Sequence, residues 1–384
     1  MNKNLVWLNA CETSADTYGA LLMQRLRQKR PGLKMTGMGG PSMRAAGLDT
    51  LYRAEDLSLV GLTEVITALP RIAGYLKNIK KALIRHKPGV MVLMDAPDFN
   101  FRLARMAYFL NIPVIYFIAP QVWAWRKSRI NFLKRYVSHL VCILPFEEEF
   151  FRKHGVRADF AGHPISEILD PAALEHIRPD SSQAALLPGS RKKEISSLLP
   201  ELIKAGQLLR QKRPQLRFNI IQAPGIEREF LESCLGNDLD VTIIPPGQRF
   251  RVMKKCCLAL AASGTATLEC AMLELPTVVA YKVSLLSYLA GRALIDVSYI
   301  SLPNLIMNRP IFPELIQHKA TAREISSHAL AWLESPGKRE QTRQSLRQIK
   351  SLLGRQSATR TCAEITLRHL MGPQQIKTAA GPVH

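Results

Sequence analysis

This 384-residue chain is predicted to be an α/β protein of two doubly wound, parallel-sheet halves, and three observations predict it. Short apolar, strand-like runs alternate with helix-like runs, the pattern of parallel βα units. The alternation lapses once: around Phe160-Ala-Gly-His-Pro164 a first series ends, and the irregular, proline-bearing stretch to Asp180 reads as a linker before a second series begins. The length suffices for two domains that each bury a core. We therefore expect one domain over residues 1–165, a second over 166–370 that includes the closing helices, a ligand cleft that both face, and a disordered tail over 371–384.

The first series opens with the strand-like Leu5-Val-Trp-Leu8, inside a strand predicted over 5–9. Further strands are expected at 34–38, 90–94, 114–118 and 140–144, with helices at 17–29, 71–86, 99–109, 129–137 and 147–154. The five apolar residues from Val90 to Met94 suit a strand covered on both faces, and Pro97 ends its pairing. In the helix over 71–86, Ile72, Tyr75, Leu76, Ile79 and Leu83 recur at helical spacing, with Lys77, Lys80, Lys81 and Arg85 elsewhere around it. Such a basic amphipathic helix either lies on an anionic bilayer or packs its apolar stripe into the core. The second series predicts strands at 184–187, 217–222, 241–244, 258–262 and 277–281. Its helices are expected at 194–211, 226–234, 266–273 and 285–294, followed by helical runs over 322–333, 337–353 and 358–370. No repeat of solenoid period occurs, which excludes array architectures.

Composition narrows the function classes. A net charge of +21 and a pI near 9.9 imply an anionic partner: nucleic acid, an anionic membrane, or a phosphorylated substrate. The seven cysteines are scattered and mostly within apolar runs, so neither a disulfide framework nor a zinc site is suggested, and a reducing cytoplasm is expected. No apolar run reaches the length of a membrane span, so membrane contact is expected to be peripheral. No two histidines stand at ligand spacing and no Asp-rich loop offers an oxygen cage, so no metal is expected.

The chemistry gathers in loops after strands. Asp95 and Asp98, in Met94-Asp-Ala-Pro-Asp-Phe-Asn100, are the only acids between Glu64 and Glu147, a stretch rich in Lys and Arg. They sit where a buried strand ends, which is where ligands bind in open α/β sheets. Asp98 fits a helix N-cap. Asp95 has no helix to cap and is read as catalytic or ligand-binding. In the second half, Leu187-Pro-Gly-Ser190-Arg191-Lys-Lys-Glu194 is a tight turn opening a helix, suited to gripping phosphate through amides and a guanidinium. It lacks the Gly-Lys-Ser/Thr end of a Walker loop, so nucleotide hydrolysis is not implied. Ala262-Ser-Gly264-Thr265-Ala-Thr-Leu-Glu269 repeats the arrangement, with Glu269 placed to accept hydrogen bonds from ribose hydroxyls. Together they point to a nucleoside diphosphate. Gly37-Met-Gly39-Gly40 follows the second strand and lacks the full dinucleotide spacing, so it is read as a turn, and no cofactor is expected.

The ordered set Asp95-Ala-Pro-Asp-Phe-Asn100, Pro120-Gln-Val-Trp-Ala-Trp-Arg126, Leu144-Pro-Phe-Glu147, Gly162-His-Pro164, Leu187-Pro-Gly-Ser-Arg191, Ala262-Ser-Gly-Thr-Ala-Thr-Leu-Glu269 and Ser301-Leu-Pro-Asn304 resembles the lipid-A-disaccharide synthases. That resemblance implies a glycosyltransferase of the two-Rossmann-domain, GT-B type. Its donor would be UDP-2,3-diacylglucosamine and its acceptor 2,3-diacylglucosamine 1-phosphate, giving a β(1→6) disaccharide and UDP with inversion. Asp95 would be the base, and Ser190, Arg191, Gly264 and Thr265 would hold the diphosphate. Glu269 would hold the ribose, with Asn304, Glu314 and Gln317 near the donor. Glu12, Ser14, Asp16, Asp98 and Trp123 would serve the acceptor or its loops. The protein would be cytoplasmic and peripheral on the inner face of the inner membrane, with Lys77, Lys80, Lys81 and Arg85 toward the lipid, and a homodimer is among the expected partners. One departure stands out: the family's Gly-Glu-Ala-Ser-Gly-Asp is here Cys11-Glu-Thr-Ser-Ala15-Asp16, and a loop needing positive φ would be strained.

Two rivals remain. A UDP-hexosamine 2-epimerase on the same scaffold would need further acids in its cleft. A nucleic-acid-binding protein would explain the charge, but no recognition module and no array of exposed aromatics among the bases is found, so no nucleic-acid partner is expected.

Overall fold

The computed structural model describes residues 1–58, 65–124, 127–235, 240–282, 298–354 and 356–371. The chain divides into two compact units, Met1–Pro164 with the returning segment from Gln356, and Ile165–Arg355. In the first unit seven strands pair in parallel: β1 (Asn2–Ala10), β2 (Lys34–Gly39), β3 (Asp49–Arg53), β4 (Pro88–Met94), β5 (Val114–Phe117), β6 (His139–Cys142) and β7 (Ala158–Phe160). Their order is β3-β2-β1-β4-β5-β6-β7, so the chain winds outward through β2 and β3, then returns to the other side of β1. The order reverses between β1 and β4, and a crevice at the carboxyl ends of those strands follows from the winding. Every residue of β4 is buried, as its unbroken apolar run requires.

The second unit repeats the plan with six parallel strands: β8 (Asp180–Leu187), β9 (Arg217–Ile221), β10 (Val241–Ile244), β11 (Cys256–Ala262), β12 (Thr277–Tyr281) and β13 (Glu314–Ile316). The order β10-β9-β8-β11-β12-β13 reverses between β8 and β11. Its core packs Leu186, Leu202, Phe218, Leu260 and Val279 from strands and helices.

Three strands escape the apolar-run reading for physical reasons. β3 lies at a sheet edge with alternating exposure, while β7 and β13 are edge strands of three residues each. The helix expected over 285–294 lies outside the described residues, as does most of the tail. The last helix, Ala358–Met371, corrects the expected domain plan. It packs on the helix Thr13–Lys29 and on β1, β4 and β5 of the first unit, burying Cys362, Ala363, Ile365 and Leu370. Its apolar face is legible in sequence, but periodicity does not say which sheet covers it. Gly89 marks the contact: a Cβ there would meet Leu370 Cδ1 at 2.5 Å and the Asn2 carbonyl at 2.8 Å.

Candidate functional site

In the first unit the pairing of β4 ends at Met94, opposite Ala10 of β1 and Phe117 of β5, and Pro97 already begins the next helix, Pro97–Phe109. Two residues must reverse the chain. Both do so in the left-handed region, Asp95 at φ 55° and Ala96 at φ 42°. Neither is glycine, so the surroundings must hold the turn. The Asp95 carbonyl accepts from the Tyr116 hydroxyl and from Asn100 Nδ2, each at 2.7 Å. Asn100 Nδ2 also reaches the Met94 carbonyl at 3.0 Å, and Asn9 Nδ2 donates to Asn100 Oδ1 at 2.7 Å. Asn9, Asn100 and Tyr116 are fully buried. The half-buried Asp95 carboxylate accepts from the Ala96 amide at 2.9 Å. Asp98 is exposed and ion-paired with Arg129. It is not the N-cap: Ala96 holds that position, because Pro97 sets the helical φ one residue before Asp98.

The first loop departs from expectation in a useful way. The helix begins at Thr13, so Ala15 lies inside it, and neither Cys11 nor Ala15 takes a positive φ. The glycine replacements therefore carry no strain. Glu12 is the exposed N-cap residue and Ser14 is half-buried in the first turn. Asp16 is buried and faces its own unit: it accepts from the amides of Gly40 at 2.7 Å, Ser42 at 2.8 Å and Met43 at 3.1 Å. It thereby anchors the short helix Pro41–Ala45, and Gly40 is glycine because a Cβ would meet the Asp16 carboxyl carbon at 2.7 Å.

Trp123 is likewise an internal brace. It is buried, stands edge-on to Phe146 with ring centres 4.8 Å apart, and donates from Nε1 to Glu147 Oε1 at 3.0 Å. Burial pushes the Glu147 carboxyl up to about 7, against the pull of the Ile143, Leu144 and Trp123 N–H groups. Trp125 and Arg126 lie outside the described residues. On the helix Val65–His86, Leu76, Ile79 and Leu83 are buried while Lys77, Lys80, Lys81 and Arg85 are exposed. Leu76, Ile79 and Leu83 thus belong to the core, while the four cations and Ile84 lie outside it.

In the second unit both expected turns stand at the carboxyl ends of the switch-point strands β8 and β11. After Leu187, Gly189 takes φ 122°, and the exposed Arg191 is the N-cap of the helix Lys192–Lys212. Glu194 folds back to accept from the Ser190 amide at 3.0 Å, and burial raises its carboxyl above the ordinary range. Lys192 pairs with Glu227 at 3.4 Å and stands over Phe230. At the second turn Gly264 takes φ 154° as the N-cap of Thr265–Met272, with Thr265 exposed beside it. Glu269 is mostly buried, which raises its carboxyl, while Arg249 Nη2 at 3.5 Å opposes that rise.

The remaining expected donor residues separate into two kinds. Asn304 is fully buried with its amide saturated. Nδ2 donates to the Phe312 carbonyl and Glu314 Oε1, and Oδ1 accepts from the Ile311 and Phe312 amides, all at 2.8 Å. Glu314 accepts from the Ile300 and Ser301 amides, each at 2.9 Å, and from the Ser301 hydroxyl at 2.6 Å. These two fasten the helix Leu302–Met307 to β13. Gln317, half-buried at the tip of β13 with φ 54°, is a strained residue at a strand end, as Asp95 is.

Sequence reasoning missed Asn9, Asn100, Tyr116, Glu194 and Arg249. Asn100 and Glu194 stood inside motifs already singled out but without a role, and Asn9 left its own signal, a polar residue near the end of a buried apolar strand. Among the described residues no group of three His, Cys, Asp or Glu could hold a metal, and no helix is long and apolar enough to cross a membrane.

With this geometry in hand, comparison with known proteins is direct. The family model described as lipid-A-disaccharide synthetase matches residues 6–366. The chain is 39% identical over 370 residues to the lipid-A-disaccharide synthase of Myxococcus xanthus, covering 94% of this chain and 96% of that one. It is 37% identical to that of Syntrophus aciditrophicus, covering 96% and 98%. Among solved structures it is similar to the UDP-GlcNAc 2-epimerase from Neisseria meningitidis, with a TM-score of 0.66 at 14% identity, covering 94% of this chain and 99% of that one. It is also similar to the calicheamicin glycosyltransferase CalG4, with a TM-score of 0.62 at 15% identity, covering 97% and 99%. These two likenesses speak for the GT-B fold alone, whereas the family match extends over nearly the whole chain. The chain therefore belongs to the lipid-A-disaccharide synthetase family of glycosyltransferase enzymes.

Proposed function

We propose that this protein transfers 2,3-diacylglucosamine from its UDP derivative to the 6-hydroxyl of 2,3-diacylglucosamine 1-phosphate, with inversion, giving the β(1→6) disaccharide 1-phosphate and UDP. The observation that carries the reading is the strained Asp95 turn at the β1/β4 switch point, held by three buried polar side chains. Asp95 takes the proton from the acceptor hydroxyl as its oxygen attacks the anomeric carbon. The bond to the UDP β-phosphate breaks, and charge developing there is met by Arg191 and the amides at Gly264 and Thr265. Glu269, paired with Arg249, accepts from the ribose hydroxyls, and Gln317 contacts the donor. The exposed Glu12, half-buried Ser14 and Asp98 serve the acceptor side. Asn304, Glu314, Asp16 and Trp123 support the reaction by bracing loops. The exposed cations Lys77, Lys80, Lys81 and Arg85 draw the enzyme to an anionic membrane face, where both acylated substrates reside.

The test is turnover with both lipid substrates. Asp95→Asn should lower kcat by about a hundredfold or more with UDP affinity retained. Near-normal turnover would remove Asp95 as the base. Epimer formed from the UDP-sugar alone, without disaccharide, would replace the transferase reading by an epimerase.

A further inference from the structure

The turn that carries Asp95 is held from beneath. Asn9 on β1 and Tyr116 on β5 both stand opposite Leu93 of β4 in the sheet register, so the two flank the strand tip in one row. Side chains in one row of a sheet point to the same face. Asn100, within the first turns of the helix Pro97–Phe109, closes the row from above. The Tyr116 hydroxyl and Asn100 Nδ2 converge on a single atom, the Asp95 carbonyl oxygen, at 2.7 Å each, and Asn9 orients Asn100 through Oδ1. Burying polar side chains is unfavourable unless they make hydrogen bonds, and here two of those bonds end on the carbonyl of Asp95, the first of two consecutive left-handed residues.

We propose that Tyr116 and Asn100 are positioning residues for Asp95: by holding its carbonyl they keep Asp95 and Ala96 in consecutive left-handed conformations and so set where the Asp95 carboxylate stands. This rests on the reading of Asp95 as the base. Without the two donors, Asp95 and Ala96 relax toward the right-handed or extended regions that non-glycine residues prefer, and the carboxylate moves with them. A shift of that kind slows proton removal while leaving the donor's contacts on the second unit unchanged.

The experiment uses the full-length enzyme with both lipid substrates. Tyr116→Phe removes one hydroxyl from a buried ring and keeps its shape. It should lower kcat about tenfold or more with KM for the UDP-sugar unchanged. Asn100→Ser is the second variant, read in the same way should the first fail to fold. Each change is also made in Asp95→Asn: a residue that acts only through Asp95 has no further effect on the residual turnover of that background. Full turnover in Tyr116→Phe and Asn100→Ser, a raised KM with kcat intact, or losses that multiply with Asp95→Asn would overturn the proposal. Failure of the Asp95 reading is separately visible, since Asp95→Asn would then turn over normally by itself.

Discussion

Asp16 and Asp95 both stand near the carboxyl ends of first-unit strands, and their partners divide the work. Asp16 directs its carboxylate at three backbone amides of a neighbouring turn, a capping task. Asp95 is held by its carbonyl, and its carboxylate accepts from the next amide. Asp16→Ala would leave those amides buried without an acceptor and should lower stability by roughly 2–4 kcal/mol, measured by denaturant unfolding. Loss of turnover in that variant at unchanged stability would instead make Asp16 a substrate contact. His163 carries a pH signature. It is buried edge-on to Tyr18 with ring centres 6.0 Å apart, and burial lowers its pKa to about 3 from the ordinary 6.5. Between those values the unfolded chain binds a proton that the folded chain refuses, so stability falls as pH drops from about 6.5 toward 3. His163→Phe should flatten the dependence of Tm on pH across that window in calorimetry. Parallel Tm curves for the two proteins would show that His163 does not titrate on unfolding.

At the scale of elements, the helix Val65–His86 has two faces with separate fates. Leu76, Ile79 and Leu83 are consumed by the core, while Lys77, Lys80, Lys81 and Arg85 stand exposed. Replacing Lys77, Lys80, Lys81 and Arg85 together with Gln should leave Tm nearly unchanged and weaken binding to anionic vesicles by at least about tenfold. Unchanged co-sedimentation would reduce the cations to a solvated face. The returning helix Ala358–Met371 makes the opposite prediction, of stability without binding. Gly89→Ala places a methyl against Leu370 and, less forgivingly, the Asn2 carbonyl, and should cost about 1–3 kcal/mol in denaturant unfolding. Wild-type stability would mean that β4 and β1 move apart freely at that point.

For the molecule as a whole, the plan of two doubly wound sheets was legible because alternating βα units leave a strong hydrophobic pattern. The polar loops after β4, β8 and β11 were legible as strand ends, and the winding order places them at the switch points of the two sheets. The short edge strands were not, having no apolar run to show. Exposed loop residues and internal braces were not told apart. Asp95, Arg191 and Gly264 were nominated from the loops they occupy, and Asn304, Glu314, Trp123 and Asp16, which are tied into hydrogen bonds within their own units, looked equally suited to ligands. The net charge of +21 acts at this scale too, since long-range attraction to anionic lipid or phosphate is screened over about 10 Å at ordinary ionic strength. Vesicle binding by the wild-type protein should therefore weaken as NaCl is raised, and salt-insensitive binding would point to apolar contact.

Sequence by itself determined the fold class, the strand tips that bear polar residues and, through its ordered motifs, the family, because periodicity and motif order are properties of neighbouring residues. Tertiary structure alone decided which of those polar groups are claimed by buried partners. A carboxylate or amide is available only if no buried partner claims it, and the partners come from afar: the amide of Gly40 lies 24 residues from Asp16, and the Tyr116 hydroxyl 21 residues from the carbonyl of Asp95. Spacing in the chain says nothing of those meetings, which packing alone creates.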